Sequence, residues 1–248
     1  MTHAHERAVV VHPDGAAVAR ATAARLLLAL LDAQAVRRPL HVCLTGGTVG
    51  TKVLAEVASS GLRDLIDWTG VHLWWGDERF VERTSGDRNE GQARAALIDT
   101  LAVPEENVHP FPADDGGASL DGAALAVAEV LAAHAADGAS WPVFDITVLG
   151  VGPDGHVASL FPGRSSLDVT DRAVVAEPDS PKPPPARLSL TLPVLNASRQ
   201  VWFVVAGADK ADAVDAVLRG GSDLPAARVC GQDVTLWLLD AAAAGLSG

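Results

Sequence analysis

The chain has 248 residues, 48% of them hydrophobic, and a formal net charge of −12. That is enough apolar material for one large core or two small ones. A surface this acidic excludes nucleic acid and anionic membranes as partners, and a small anionic ligand would need a locally basic pocket.

After a polar lead, residues 8–11 read as a short apolar strand. Residues 15–35 are rich in Ala, Leu and Arg and lack Pro, which suits a helix. A second strand at 41–44 runs into Thr45-Gly46-Gly47-Thr48, and 49–59 reads as helix. A third strand at 71–75 closes on Gly76-Asp77-Glu78-Arg79. Helices are expected at 89–101 and 119–136, and a strand at 144–149. Between 162 and 185 there are six prolines, so this region reads as loop with a short strand near 173–176. The proline cluster at 181–185 is taken as a plain spacer rather than a lid edge. Alternation resumes over 187–192, a buried strand spans 200–205, a helix runs from 207 to about 219, and a last strand spans 234–239. The Ala/Gly tail is expected to fray. Strands alternating with helices predict a mainly parallel sheet covered on both faces.

Cys43 and Cys230 are the only cysteines. Cys43 lies in a core-strand run, so a buried thiol is expected rather than a disulfide. No Cys/His spacing of the zinc type is present, so no metal is expected. No stretch approaches about 18 uninterrupted apolar residues and no basic leader precedes an apolar run, which predicts a cytoplasmic protein.

The chemistry is expected at Gly150-Val151-Gly152-Pro153-Asp154-Gly155-His156. An apolar strand ends there in a glycine-rich turn carrying one carboxylate and one imidazole, the place where α/β proteins put their ligands. A histidine titrates near neutrality and can take a proton from water, and a nearby carboxylate would orient its ring. The bland alternative is a satisfied loop histidine with Asp154 as turn former. Gly150, Gly152 and Gly155 also spell the dinucleotide fingerprint, but Pro162 and Gly163 stop the long helix that such a site needs.

Thr45-Gly46-Gly47-Thr48, between a strand and a helix, could present backbone N–H groups and a helix N-terminus to an anion. The alternative is an ordinary turn with Thr48 as N-cap. Asp77 and Arg79 at a strand end could bind sugar hydroxyls and an oxyanion, or form a surface ion pair worth little. Arg187 and Lys210, each alone, read as solvated charges; converging on the Thr45–Thr48 loop they would make a phosphate site.

Together these residues resemble a known family. Leu44-Thr45-Gly46-Gly47-Thr48, Trp75-Gly76-Asp77-Glu78-Arg79, the run from Gly150 through His156 to Ser159-Leu160-Phe161-Pro162-Gly163, and Arg187-Leu188-Ser189-Leu190-Thr191 with Gly207-Ala208-Asp209-Lys210 resemble the glucosamine-6-phosphate isomerase/6-phosphogluconolactonase family, in order and spacing over nearly the whole chain. The third motif is long and specific; the first is weak without the others. The resemblance implies a modified Rossmann-like α/β fold, shared with glucosamine-6-phosphate deaminase and ribose-5-phosphate isomerase, as a single domain over 1–248. It implies hydrolysis of 6-phospho-D-glucono-1,5-lactone in the oxidative pentose phosphate pathway, with no metal or cofactor. The only partner expected is that phosphorylated sugar lactone, and a monomer is the expected state.

On this resemblance His156 activates water, oriented by Asp154 or a backbone carbonyl. Arg79 stabilises the oxyanion, and Asp77 binds sugar hydroxyls. Gly46, Gly47 and Thr48, beside Thr45, hold the phosphate with Arg187 and Lys210. The deaminase branch continues after Asp-Gly-His with Asn-Glu-Pro-like residues, which this chain replaces by Ser159-Leu160-Phe161, favouring the lactonase. A non-catalytic sugar-phosphate sensor would keep the phosphate loop but have no need of His156.

Overall fold

The computed structural model describes residues 6–246. In chain order its strands and α-helices are β1 (Glu6–His12), α1 (Gly15–Gln34), β2 (Leu40–Leu44), α2 (Gly47–Ser59), β3 (Val71–Trp75), β4 (Asp77–Arg79), α3 (Asn89–Ala96), α4 (Leu120–Ala133), β5 (Ile146–Leu149), β6 (Val174–Glu177), β7 (Arg187–Leu190), α5 (Leu192–Asn196), β8 (Gln200–Val205), α6 (Ala211–Arg219) and β9 (Val234–Asp240). Helix α1 starts where Asp14 accepts the Ala17 N–H at 2.8 Å. Val18, Ala19, Ala23, Leu26, Leu27 and Leu30, at three- and four-residue spacing, form its buried stripe. Every residue of β5 is buried, as are the last five of β8; such continuous apolar strands belong in the middle of a parallel sheet.

That sheet has six parallel strands in the order β1-β9-β8-β5-β2-β3. The chain moves one way across it from β1 to β2 to β3 and the other way from β5 to β8 to β9. Right-handed crossovers therefore put α1 and α2 on one face and α6 on the other. The direction reverses between the neighbours β2 and β5, so the loops leaving them part to opposite faces and open a crevice.

A second sheet was not legible in the sequence. Strands β4, β7 and β6 form an antiparallel three-stranded sheet, with Asp77 opposite Ser189 and Arg79 opposite Arg187. Three-residue β4 is too short to carry a period; its pairing is fixed at the ends by the Leu190 N–H to the Gly76 carbonyl and the Phe80 N–H to the Ala186 carbonyl, both 2.9 Å. Helix α5, led by a proline in its first turn, was also unforeseen. The helix expected over 89–101 stops at Ala96, because Leu97 leaves the helical region and a 3₁₀ turn follows.

The expectation of a frayed tail is corrected for the described residues. Asp240 accepts the Ala243 N–H at 2.7 Å and also takes the Gly207 N–H, and Ala243 is fully buried; residues 247 and 248 lie outside the described part. Both cysteines are free, Cys43 buried. Among the described residues, no helix is long and apolar enough to cross a membrane.

Candidate active site

A cleft of about 510 Å³ opens between the C-terminal ends of β2, β5 and β8 and the small antiparallel sheet. Thr45, Gly46, Gly47 and Thr48 follow β2, Gly150 to His156 follow β5, and Lys210 follows β8. Asp77, Arg79 and Arg187 come from β4 and β7. All of these sequence-selected side chains and loop residues line the cleft except Gly155 and Asp154, the latter held against His156.

Helix α2 begins with Gly46 as N-cap and no side-chain capping bond. Thr48 is inside the first turn, so the N-cap alternative for it is set aside. The early N–H groups of α2, without a side-chain cap, lie on the cleft wall, where the helix dipole favours an anion. Position 46 is crowded: a Cβ there would sit 1.7 Å from Asn89 Oδ1, so any larger residue would displace the Asn89 side chain. Asn89 is itself held, its Nδ2 donating to the Asp77 carbonyl at 2.8 Å and its Oδ1 accepting from Arg79 Nη1. The loops after β2 and β5 are tied together where the Gly150 N–H donates to Thr45 Oγ1 at 3.3 Å.

His156 Nδ1 lies 2.5 Å from Asp154 Oδ1. Burial, the largest influence, lowers the pKa of His156; the hydrogen bond and charge of Asp154 oppose this, and Lys182 adds to the lowering. The imidazole is therefore neutral at pH 7. Burial alone would raise the Asp154 carboxyl, but the His156 bond, the His156 charge and the Lys182 ammonium together leave it below the usual carboxylate range. An ionised Asp154 places the ring proton on Nδ1 and leaves a lone pair on Nε2. The loop geometry depends on Gly152, over which the His156 ring folds so closely that a Cβ would meet Nδ1 at 1.9 Å.

Lys182 and Asn89 line the cleft and were passed over by the sequence reading. Lys182 Nζ lies 3.4 Å from Asp154 Oδ1 and 3.3 Å from His156 Nδ1. The segment 181–185 is thus no plain spacer. The buried Arg187 pins it by donating from Nε to the Pro184 carbonyl and from Nη2 to the carbonyls of Lys182 and Pro183, at 3.1–3.2 Å. A signal did exist: the chain has only three lysines, at 52, 182 and 210, and two of them line this cleft.

The remaining charges are partly spoken for. Asp77 Oδ2 accepts from Ser159 Oγ at 2.6 Å and lies 4.0 Å from Arg187 Nη1. Lys210 is not isolated, since Asp209 pairs with it at 2.7 Å. Glu78 points away from the cleft and accepts the N–H groups of Arg79, Asn89 and Glu90 at 2.7–2.9 Å. Burial raises its pKa despite those bonds, and its role is to hold the start of α3 behind Asn89.

The glycine-rich loop is followed by a 3₁₀ turn at Ser165–Asp168 and the antiparallel β6. A dinucleotide site would need a helix and a parallel strand there.

The chain also has known relatives. The family model for glucosamine-6-phosphate isomerases/6-phosphogluconolactonase matches residues 13–237. The chain is 48% identical to a 6-phosphogluconolactonase of Streptomyces coelicolor over 242 residues, covering 95% of this chain and 93% of the relative. It is 46% identical to that of Mycobacterium tuberculosis, covering 95% and 96%. Among solved structures it resembles the 6-phosphogluconolactonase of Trypanosoma brucei, with a TM-score of 0.84 at 27% identity over 99% of this chain and 100% of that one. A monomeric glucosamine-6-phosphate deaminase, at 17% identity and a TM-score of 0.76, shares the fold over 97% of this chain and all of its own. With the fold, the cleft and these relatives in agreement, the chain belongs to the glucosamine-6-phosphate isomerase/6-phosphogluconolactonase family.

Proposed function

We propose that this protein hydrolyses 6-phospho-D-glucono-1,5-lactone to 6-phospho-D-gluconate, the lactone step of the pentose phosphate pathway. The observation that carries the reading is the neutral His156, held by Asp154 at 2.5 Å, in a cleft that is also lined by a helix N-terminus and Lys210. The helix N-terminus and Lys210 suit a phosphate dianion, and His156 suits a proton transfer.

In the proposed mechanism the first-turn N–H groups at Gly46, Gly47 and Thr48 and the Lys210 ammonium hold the phosphate. Arg187 contributes through Nη1, since its other nitrogens serve carbonyls. Binding energy from this remote group positions the lactone carbonyl. His156 Nε2 takes a proton from water as the water oxygen bonds to C1. Arg79 and loop N–H groups stabilise the tetrahedral oxyanion. On its collapse the bond from C1 to the ring oxygen breaks, and the imidazolium returns the proton to that oxygen. Asp77 binds sugar hydroxyls. The proposed mechanism needs no residue from a second subunit.

The direct test is proton release on adding fresh 6-phosphogluconolactone, with glucosamine 6-phosphate assayed alongside for ammonia. Ammonia without acid release would assign the chain to the deaminase activity of its family. Dialysis against a chelator, assayed well below the unfolding temperature, is expected to leave turnover intact; a loss restored by one divalent ion would overturn a metal-free mechanism.

The pH profile gives a sharper check. A general base works when unprotonated, and kcat/KM reports the pKa of the free enzyme. Because the His156 pKa is lowered from 6.5, the acid limb should lie below pH 6.5. Lys182→Met removes a positive neighbour that disfavours imidazolium, so the acid limb should move to higher pH. An unmoved or downward-shifted limb would remove Lys182 from the electrostatics of this base.

A further inference from the structure

Folding assembles histidines from distant parts of the chain at the opposite end of the large sheet. His72 is the second residue of β3, His109 follows the 3₁₀ turn at Glu105–Asn107, and His134 caps the C-terminus of α4. Their ligand-capable atoms all lie within 4.8 Å of one another, and all three side chains are half-buried. None of them lines the catalytic cleft. That cleft is built on loops leaving the C-terminal ends of parallel strands, whereas His72 stands near the start of β3, opposite His41 near the start of β2.

We propose that His72, His109 and His134 bind a divalent transition-metal ion of the zinc type, at a structural site separate from the catalytic cleft. His134 Nδ1 lies 2.9 Å from the Val130 carbonyl, and only an N–H can bond there. This fixes the tautomer and leaves the Nε2 lone pair for a ligand, the outer-shell arrangement usual for metal-binding histidines. His72 Nδ1 and His109 Nε2 are 2.8 Å apart. Two imidazoles on a tetrahedral zinc with Zn–N bonds of about 2.0–2.1 Å hold their nitrogens roughly 3.3 Å apart, so a small ring movement admits the ion. The donor of that hydrogen bond then shifts its proton to its other ring nitrogen, with no change in net charge.

The surroundings support the ligand set. Trp74 stacks on His109 with centroids 3.9 Å apart, and the His72 and His109 rings are parallel within 3°, so the rings are held in place. His41 lies alongside, but its Nδ1 accepts from Trp74 Nε1 at 3.2 Å. The nearby Asp145 is engaged by Arg37 at 2.6 Å and by the His41 N–H. Three imidazoles and one open position for water result. Burial, then the neighbours His134, His72 and His41, push His109 down to about 3; burial, then His134, lowers His72. Neutral imidazole is the form that binds metal. The ion would join β3, the segment at His109 and the end of α4.

The test is a titration of chelator-treated full-length protein with Co²⁺, read by absorbance. One Co²⁺ per chain with the intense visible bands of tetrahedral cobalt is expected, displaced by Zn²⁺. His134→Ala and His109→Gln should each weaken binding by about 10-fold or more, with lactone turnover unchanged as the check on folding. His156→Ala should keep the bands. Zn²⁺ should raise the Tm of the wild type, by mass action, and not that of His134→Ala. The absence of stoichiometric binding in the wild type would overturn the proposal. So would bands that survive both histidine substitutions, or that disappear in His156→Ala.

Discussion

Replacing His156 by alanine should lower kcat by about 100-fold or more, the usual scale for losing a general base, while KM changes much less. The reason is geometric. His156 Nδ1 is bound by Asp154 at 2.5 Å, so the nitrogen left to accept a proton from water is Nε2, and alanine leaves nothing in its place. The phosphate-binding groups proposed at Gly46 to Thr48 and Lys210 come from other strands and should survive the change, which is why binding should outlast turnover. The loop itself should tolerate alanine, because its backbone bonds, such as Gly155 N–H to the Gly152 carbonyl at 2.9 Å, do not use the imidazole. Steady-state rates on fresh lactone, corrected for spontaneous hydrolysis, decide the matter. Near-normal turnover in this variant would sink the assignment.

Removing Lys210 should separate phosphate grip from chemistry. The proposed contact is to a group several bonds from the reacting carbon. One charge-assisted contact is worth on the order of 1.5–3 kcal/mol, or about 10- to 150-fold in kcat/KM. Lys210 has Asp209 against it at 2.7 Å, and part of its charge is already committed, which points to the lower half of that range. Activity on unphosphorylated gluconolactone should barely change, because that substrate makes no such contact. His156→Ala should instead impair both lactones by similar factors. Four rates suffice: wild type and Lys210→Ala, each on both lactones. Equal slowing of both by Lys210→Ala would make Lys210 structural or catalytic, and the phosphate pocket would be misplaced.

The parts of this protein legible from sequence are those written in contiguous residues. Strands such as Val71–Trp75 and Gln200–Val205 are bounded, mostly apolar runs, and α1 is a long stretch without proline, so local composition makes them legible. The glycine loops after β2 and β5 were legible because a tight turn at a strand end needs glycine for backbone reasons that hold in any fold.

What only the tertiary structure decided is what those segments meet. Three-residue β4 becomes a strand only because β7 lies beside it. Lys182 sits in a proline run with no periodic signal, and its place 3.3 Å from His156 depends on Arg187, five residues on, gripping the carbonyls of that run. His72, His109 and His134 carry no spacing rule, and they meet because the start of β3, the segment after the 3₁₀ turn and the end of α4 come together. A sequence fixes backbone preferences over a few residues, while the convergence of side chains is set by burial of the core, which brings distant segments together without leaving a pattern in any one of them.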